Sequence, residues 1–176
     1  AGAMATTSRG GDADDVLVFL HADSTLPKGY DEVIERELND KRTSKPRDWG
    51  AFAFKMSEEE GEGVGRALTK RAIEFGTNAR CRLFGMPYGD QALVIRRRTF
   101  DSIDGFDELP FMEDNVMAEK LRRRGSPVLF QAPVKTSGRR GDERGLFKVM
   151  LMNQVIVAAY QLGVPVSKLA EWYKKT

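Results

Sequence analysis

Five consecutive apolar residues, Val16 to Leu20, lead directly into His21 and Asp23. An uninterrupted apolar run of this length predicts a strand that is buried on both faces, as in the sheets of α/β proteins. Ligands of open α/β sheets bind just beyond the carboxyl ends of such strands, so Asp23 is placed where a metal ion or a polar substrate would bind. Asp23 and Ser24 are equally compatible with a plain strand end that begins a turn.

The composition is that of an ordinary globular domain. A chain of 176 residues with 41% hydrophobic residues is long enough for a single domain, residues 1–176, with a sizeable core. The net charge of +2 is too small to indicate nucleic-acid binding, and the basic clusters lack the interleaved aromatic residues of such proteins. The single cysteine, Cys81, excludes an internal disulfide and is typical of a reducing compartment such as the cytoplasm.

Neither a secretory signal nor a membrane span is indicated. Residues 1–15 contain no apolar core of the kind that signal peptides have. The most apolar long stretch, residues 146–164, is interrupted by Lys148, Asn153 and Gln154. We therefore expect a core helix there and not a transmembrane segment.

Strand and helix patterns alternate along the rest of the chain. Helical spacing of apolar residues begins at Tyr30 and again at Val64, and a further helix is expected from Asp114 to Gly125. Further strands are expected at residues 49–54, 92–95 and 128–132. This alternation predicts an α/β sheet flanked by helices.

Four polar clusters each follow an apolar element. Aspartate is a hard oxygen ligand suited to Mg²⁺ or Mn²⁺, and arginine binds phosphate oxygens through two parallel hydrogen bonds. Together the clusters are a plausible site for a diphosphate leaving group. They are His21-Ala22-Asp23, Tyr88-Gly89-Asp90-Gln91, Met112-Glu113-Asp114 and Thr136-Ser137-Gly138-Arg139-Arg140.

Each cluster taken singly also has an ordinary structural interpretation. Asp114 precedes a helix and could be its N-cap, and Glu113 could be a solvated charge. His21 could be a hydrogen-bonded residue at a strand end, and Tyr88-Gly89-Asp90 could be only a tight turn.

In this order, the clusters resemble glycosyltransferase family 2, whose members have a GT-A fold, and most closely the small subgroup associated with radical SAM and selenium-related domains. The resemblance extends over essentially the whole chain. It is carried by FLHADS (Phe19–Ser24), YGDQALVIRR (Tyr88–Arg97), IDGFDELPFMED (Ile103–Asp114), TSGRR (Thr136–Arg140) and LGVPVSKLAEWY (Leu162–Tyr173).

The resemblance implies a GT-A-like, Rossmann-like mixed sheet flanked by helices and a hexosyltransferase-like activity. The enzyme would transfer a sugar from a nucleotide-sugar donor to an acceptor hydroxyl, with inversion and with the help of a divalent metal. Asp23 would bind the metal, and His21 stands where many relatives have a first acidic ligand. Asp114, with Glu113 beside it, would be the general base.

The resemblance also implies substrate-binding roles. Gly89, Asp90 and Gln91 would line the sugar and acceptor pocket. Ser137 with the Arg139–Arg140 pair would contact phosphate or acceptor.

The chain departs from the family at its N-terminal side. Family members begin with about two βα units that hold the nucleotide, and these are expected to be missing here, with residues 1–4 corresponding to the end of that half, where a helix leads into the central strand. The strand Val16–Leu20 would then have one unpaired edge, open to pairing with another chain. The alternative function is thus a non-catalytic remnant or partner-binding module that uses this exposed edge.

Overall fold

A computed structural model of the chain describes residues 3–6, 13–40, 42, 47–58, 63–137 and 145–174. The strands are β1 (Ala3–Thr6), β2 (Val16–Leu20), β3 (Ser24–Thr25), β4 (Trp49–Met56), β5 (Leu93–Arg96) and β6 (Val128–Thr136). The α-helices are α1 (Tyr30–Leu38), α2 (Val64–Phe84), α3 (Arg97–Asp101), α4 (Glu113–Arg122), α5 (Leu146–Gln161) and α6 (Val166–Lys174).

The described strands form one mixed sheet in the order β1-β2-β5-β4-β6-β3. Only β4 and β6 pair in parallel, and every other neighbouring pair is antiparallel. On one face, Val18 of β2 packs with Ile34 and Leu38 of α1. On the other face, Leu93 of β5 packs with Met117 of α4. The expected α/β class, a mixed sheet flanked by helices, is therefore present.

The strand that precedes the first polar cluster lies inside the sheet. β2 is antiparallel to β1, with Ala3 opposite Leu20, and also antiparallel to β5. The prediction that Val16–Leu20 has an unpaired edge is therefore wrong, as is the expectation of a helix end at residues 3–4. The error arose because the short segment Ala-Met-Ala-Thr has no alternation of apolar and polar residues that would mark it as a strand.

The middle of the sheet is completed by side chains of α2. β4 pairs with β5 only over Trp49–Ala51, so the following residues of β4 have no strand on that side. Asn78 accepts a hydrogen bond from the Phe54 N–H (2.8 Å) and donates one to the Phe54 carbonyl (3.0 Å). One turn earlier, Glu74 accepts a hydrogen bond from the Met56 N–H (2.8 Å). The helix thus takes the place of a strand by satisfying backbone groups that would otherwise be unpaired.

The prediction that residues 146–164 form a core helix is only half right. The helix forms as α5, and Ile156 is buried against Met112 and Leu169. Leu151 and Val155, however, are about half exposed, so α5 lies on the surface. No helix in the described part of the chain combines the length and apolarity that crossing a membrane would require.

Candidate functional site

The described residues of the four polar clusters meet around the turn that precedes β5. A short 3₁₀ turn at Gly89–Gln91 follows the C-terminal end of α2 and confirms the turn predicted for Tyr88-Gly89-Asp90. Gly89 is buried, and its N–H donates a 2.7 Å hydrogen bond to Asp114 Oδ2. Two clusters that lie 25 residues apart in the sequence are thereby joined directly.

A side chain at position 89 would not fit. A Cβ atom there would overlap His21 Nε2 and would lie 3.1 Å from Asp114 Oδ2. The imidazole from the end of β2 and the carboxylate from α4 therefore approach each other across a residue that has no side chain. This close approach explains the need for glycine at this position.

Asp114 is not an N-cap, because the N-cap position of α4 is Met112, which has a positive φ of 63°. Asp114 occupies the second helical position, where a negative charge is favoured by the helix dipole. Its Oδ1 accepts hydrogen bonds from the Asn115 backbone N–H (2.8 Å) and side-chain amide (3.2 Å). With both oxygens engaged, the carboxylate is held in one orientation.

The first and fourth clusters are joined through β3 and β6. The Ser137 N–H donates to the Asp23 carbonyl (3.0 Å), and the Ser24 and Thr136 hydroxyls lie 2.8 Å apart. Thr136 also donates from its hydroxyl to the Asp90 carbonyl (3.2 Å). Thr136, which belongs to the fourth cluster, therefore connects the second cluster to the first and the fourth.

Asp90 carries the most perturbed carboxyl group of the site. Its Oδ1 atom is sealed from solvent and has no hydrogen-bond partner among the described residues. The pKa of Asp90 is raised from 3.8 to about 6: burial is the main cause and the nearby Asp114 and Asp23 carboxylates contribute, while Arg80 and His21 act in the opposite direction. Buried carboxyl groups with such shifts are concentrated at functional sites.

Arg80 is a site residue that the sequence analysis missed. Its guanidinium carbon lies 3.3 Å from the centre of the Tyr88 ring, and its Nε donates to the Met86 carbonyl (3.1 Å). Burial lowers the pKa of Arg80, and the neighbouring Tyr88, Asp90 and Asp114 counteract this shift. The sequence contains no local signal for it, because Arg80 lies among other charged residues of a helix, eight residues before Tyr88.

The other predicted site residues have different environments. Gln91 is fully buried; it donates to the Phe52 carbonyl (3.2 Å) and accepts from the Tyr88 N–H (3.3 Å), so it supports the turn from within. Glu113 and Ser137 are exposed. Arg139 and Arg140, with Gly138, lie outside the described residues.

The described residues do not form a self-sufficient metal site, since no group of three or more His, Cys, Asp and Glu side chains is placed to hold an ion. The donors fit a different arrangement. Mg²⁺ is commonly held by one or two carboxylates together with substrate phosphates. Asp23 at the end of β2 and the orphaned Asp90 oxygen would provide that number of carboxylates.

The arrangement can hold a polar substrate beside a fixed carboxylate. A half-buried acid with defined orientation, Asp114, lies next to a histidine and a carboxyl group of raised pKa, all at the ends of buried elements. Such a group can accept a proton from a bound hydroxyl.

No family model, no curated protein and no solved structure matches this chain.

Proposed function

We propose that this chain is a metal-assisted, inverting glycosyltransferase with the GT-A fold of family 2, which transfers a sugar from a nucleotide-sugar donor to an acceptor hydroxyl. The observation that carries the proposal is the convergence of the four polar clusters, each of which lies in a stretch that resembles that family. The hydrogen bonds from Gly89 to Asp114, from Ser137 to Asp23 and from Thr136 to Asp90 bring their described parts together.

Asp114 is the general base of the proposed reaction. Its carboxylate takes the proton of the acceptor hydroxyl while that oxygen attacks the anomeric carbon. The bond from this carbon to the diphosphate breaks, and the electron pair leaves with the diphosphate. General-base catalysis of this kind contributes on the order of 10²–10⁴-fold to the rate.

The chain's own residues prepare this step by positioning. The Gly89 N–H and Asn115 hold the Asp114 carboxylate in one orientation. Because the base is already oriented, less conformational entropy is lost when it reacts. The absence of a side chain at Gly89 keeps His21 close to Asp114. Arg80 is stacked on Tyr88 and places a positive charge near Asp90 and Asp114. This charge offsets the electrostatic repulsion between the two carboxylates.

A divalent cation would be held by Asp23, with Asp90 and His21 nearby, together with the oxygens of the donor diphosphate. When bound, it would neutralise charge on the departing diphosphate. The Arg139–Arg140 pair is proposed for the same diphosphate. The single cysteine, Cys81, is buried, in keeping with the proposal of a reducing, cytoplasmic location.

The test is release of nucleoside diphosphate from a panel of nucleotide sugars with Mn²⁺ or Mg²⁺. Replacement of the base (Asp114→Asn) is expected to lower release by on the order of 10²–10⁴-fold. Asp23→Asn is expected to lower it and to raise the metal concentration needed for half-maximal rate. Asp101→Asn, at an exposed position on α3, is the matched control and should leave release unchanged.

Two results would overturn the proposal. One is wild-type release no greater than that of a protein-free control with every donor tested. The other is equal release by wild type and Asp114→Asn, provided that both proteins show the same cooperative unfolding.

A further inference from the structure

The longest of the described helices, α2, is oriented with polar side chains inward. Glu74 and Asn78 of α2 bond to the backbone of β4, and the Lys70 ammonium, which is buried, donates to the Ser57 carbonyl (2.9 Å). These three residues follow each other at four-residue intervals and therefore share one side of the helix. A surface helix of a globular protein normally has its apolar side in that position.

The solvent-facing side of α2 carries an exposed apolar stripe, which is centred about 100° around the helix from Lys70, Glu74 and Asn78. Val64, Leu68, Phe75 and Leu83 have exposed fractions between 60% and 78%. At 3.6 residues per turn the first three fall within about 40° of one another, and at 1.5 Å per residue the stripe is about 28 Å long. A Cβ atom at Gly76 would have open space around it, so no described part of the chain lies over the stripe there.

The exposed apolar residues are confined to one group of helices. Within the described residues, every exposed large apolar side chain lies on α2, α5 or α6 or at Leu162, between α5 and α6. α2 contacts α5, and α5 contacts α6. The remainder of the described surface has no comparable patch, which marks this face as an interaction surface.

The exposed charged residues of α2 and α5 are all basic, whereas the neighbouring α6 also exposes one acid, Glu171. The exposed charged residues of α2 are Arg71 and Arg82, and that of α5 is Lys148. The one acid of α2, Glu74, is turned inward, and α5 contains none. The whole chain is nearly balanced, with 28 basic and 26 acidic residues, so the absence of exposed acids on these two helices is local.

We infer that the outer face of α2, with the adjoining exposed residues of α5, docks on the surface of an anionic lipid bilayer. A long helix with large apolar side chains on one side and arginine or lysine beside them is the pattern of helices that lie in the membrane interface. A second copy of this chain fits less well, because symmetrical pairing would bring Arg71, Arg82 and Lys148 of two copies together with no exposed acid on these helices to balance them.

The inference does not depend on the proposed reaction, but the two features are adjacent. The last turn of α2 carries Arg80 and Leu83, and Gly89 follows the end of the helix by five residues. Docking through α2 would therefore hold the candidate site close to the lipid surface.

The test is flotation of the full chain with vesicles of phosphatidylcholine alone or with about one third phosphatidylglycerol. We expect flotation only with the anionic vesicles and a lower bound fraction at higher NaCl, because salt screens the arginines. Leu68→Ser with Phe75→Ser should reduce the bound fraction at least about tenfold without lowering the unfolding midpoint. Arg71→Glu with Arg82→Glu should have a similar effect.

Arg36→Glu on α1, which makes at an exposed position the same change of charge as each of the two arginine substitutions on α2, is the control and should float like wild type. Equal flotation with neutral and anionic vesicles, or no loss in the Leu68 and Phe75 double variant, would overturn the inference. So would a stable dimer in light scattering that the same double variant abolishes, since the face would then be an interface between copies.

Discussion

The helices α1 and α2 pack on the same sheet in opposite ways. α1 buries Ile34 and Leu38 against β2 and β6 and exposes its charged residues. α2 buries Lys70 and holds Asn78 against β4, while Phe75 points to solvent. Both sequences show apolar residues at helical spacing, so the periodicity predicts a helix in each case but not the side that faces inward. That side is decided by what the sheet presents to the helix.

The sheet presents different partners to the two helices. α1 lies on a face of the sheet, where side chains such as Val18 and Phe130 project and an apolar surface is buried. α2 covers an edge of β4, where unpaired N–H and C=O groups project and must be hydrogen-bonded. Leaving such groups unpaired costs about 1–3 kcal/mol each, which is comparable with burying one apolar side chain.

The largest expected effect separates the apolar residues of the two helices. Ile34→Ala removes a fully packed side chain and should lower the free energy of unfolding by about 2–5 kcal/mol. Phe75→Ala should change it by no more than about 0.5 kcal/mol, because the ring is exposed. Urea unfolding of both variants measures the difference. An equal loss in the two would mean that Phe75 is buried in solution and would break the comparison.

A second prediction concerns the pH dependence of stability that Asp90 causes, and the effect of Arg80 of α2 on it. The pKa of Asp90 is raised from 3.8 to about 6, so the folded state binds this proton more tightly than the unfolded state does. The contribution of Asp90 to the free energy of unfolding is therefore most favourable below about pH 4. It falls as the pH rises to about 6, by about 3 kcal/mol in total. Asp90→Asn should abolish this part of the pH dependence.

The measurement is the free energy of unfolding of wild type and Asp90→Asn between pH 4 and 7. The difference between the two proteins should grow with pH up to about 6 and then stay constant. Arg80→Leu removes a positive charge that lowers the pKa of Asp90. It should therefore move the pH range over which the stability contribution of Asp90 is lost to higher pH. A difference that does not vary with pH would show that Asp90 is solvated.

The third prediction compares Asn78→Leu on the inner side of α2 with the reverse substitution, Leu68→Asn, on its outer side. Asn78→Leu places an apolar residue on the inner side of α2, which would stabilise a helix like α1. Here it leaves the N–H and C=O of Phe54 without partners and should cost about 2 kcal/mol. Leu68→Asn, on the outer side, should cost less than about 1 kcal/mol, which is its loss of helix propensity. Thermal or urea unfolding distinguishes the two, and a stabilising Asn78→Leu would refute the assignment of sides.

The smallest expected effect compares two glycines of the α2 region. Gly76 lies in the helix with open space where a methyl group would project, so Gly76→Ala should add about 0.5–1 kcal/mol to stability. Gly85 follows the helix with a positive φ of 63°, and a Cβ there would lie 3.0 Å from Pro127. Gly85→Ala should cost about 1 kcal/mol. Opposite signs in differential scanning calorimetry would sharpen the boundary of α2, and equal signs would contradict it.

Most elements of this fold are predictable from local pattern. The apolar run Val16–Leu20 and the alternation that begins at Trp49 predict β2 and β4, and periodicity predicts α1 and α2. β1 is not predictable in this way, because its four residues carry no pattern and become a strand only by pairing with β2. The same absence of pattern led to the wrong expectation of an unpaired edge on β2.

The candidate site was predictable as a list of residues but not as an arrangement. Each polar cluster follows an apolar element, which the sequence shows, and Asp23, Gly89 and Asp114 were named on that basis. Whether Asp114 caps its helix or reaches Gly89 depends on a hydrogen bond across 25 residues of sequence. Arg80 escaped notice because it lies within a helix whose charged residues are typical of a solvated side.

By itself, the sequence determined the α/β class, the positions of the main elements and the residue types of the candidate site, since these depend on local periodicity and on residue type. The tertiary structure decided which neighbours β2 has, which side of α2 faces inward and which acids are buried. Those properties depend on contacts between residues far apart in the chain. The strand that ends at His21 and Asp23 was visible from the first residues, but its antiparallel neighbours on both sides were not.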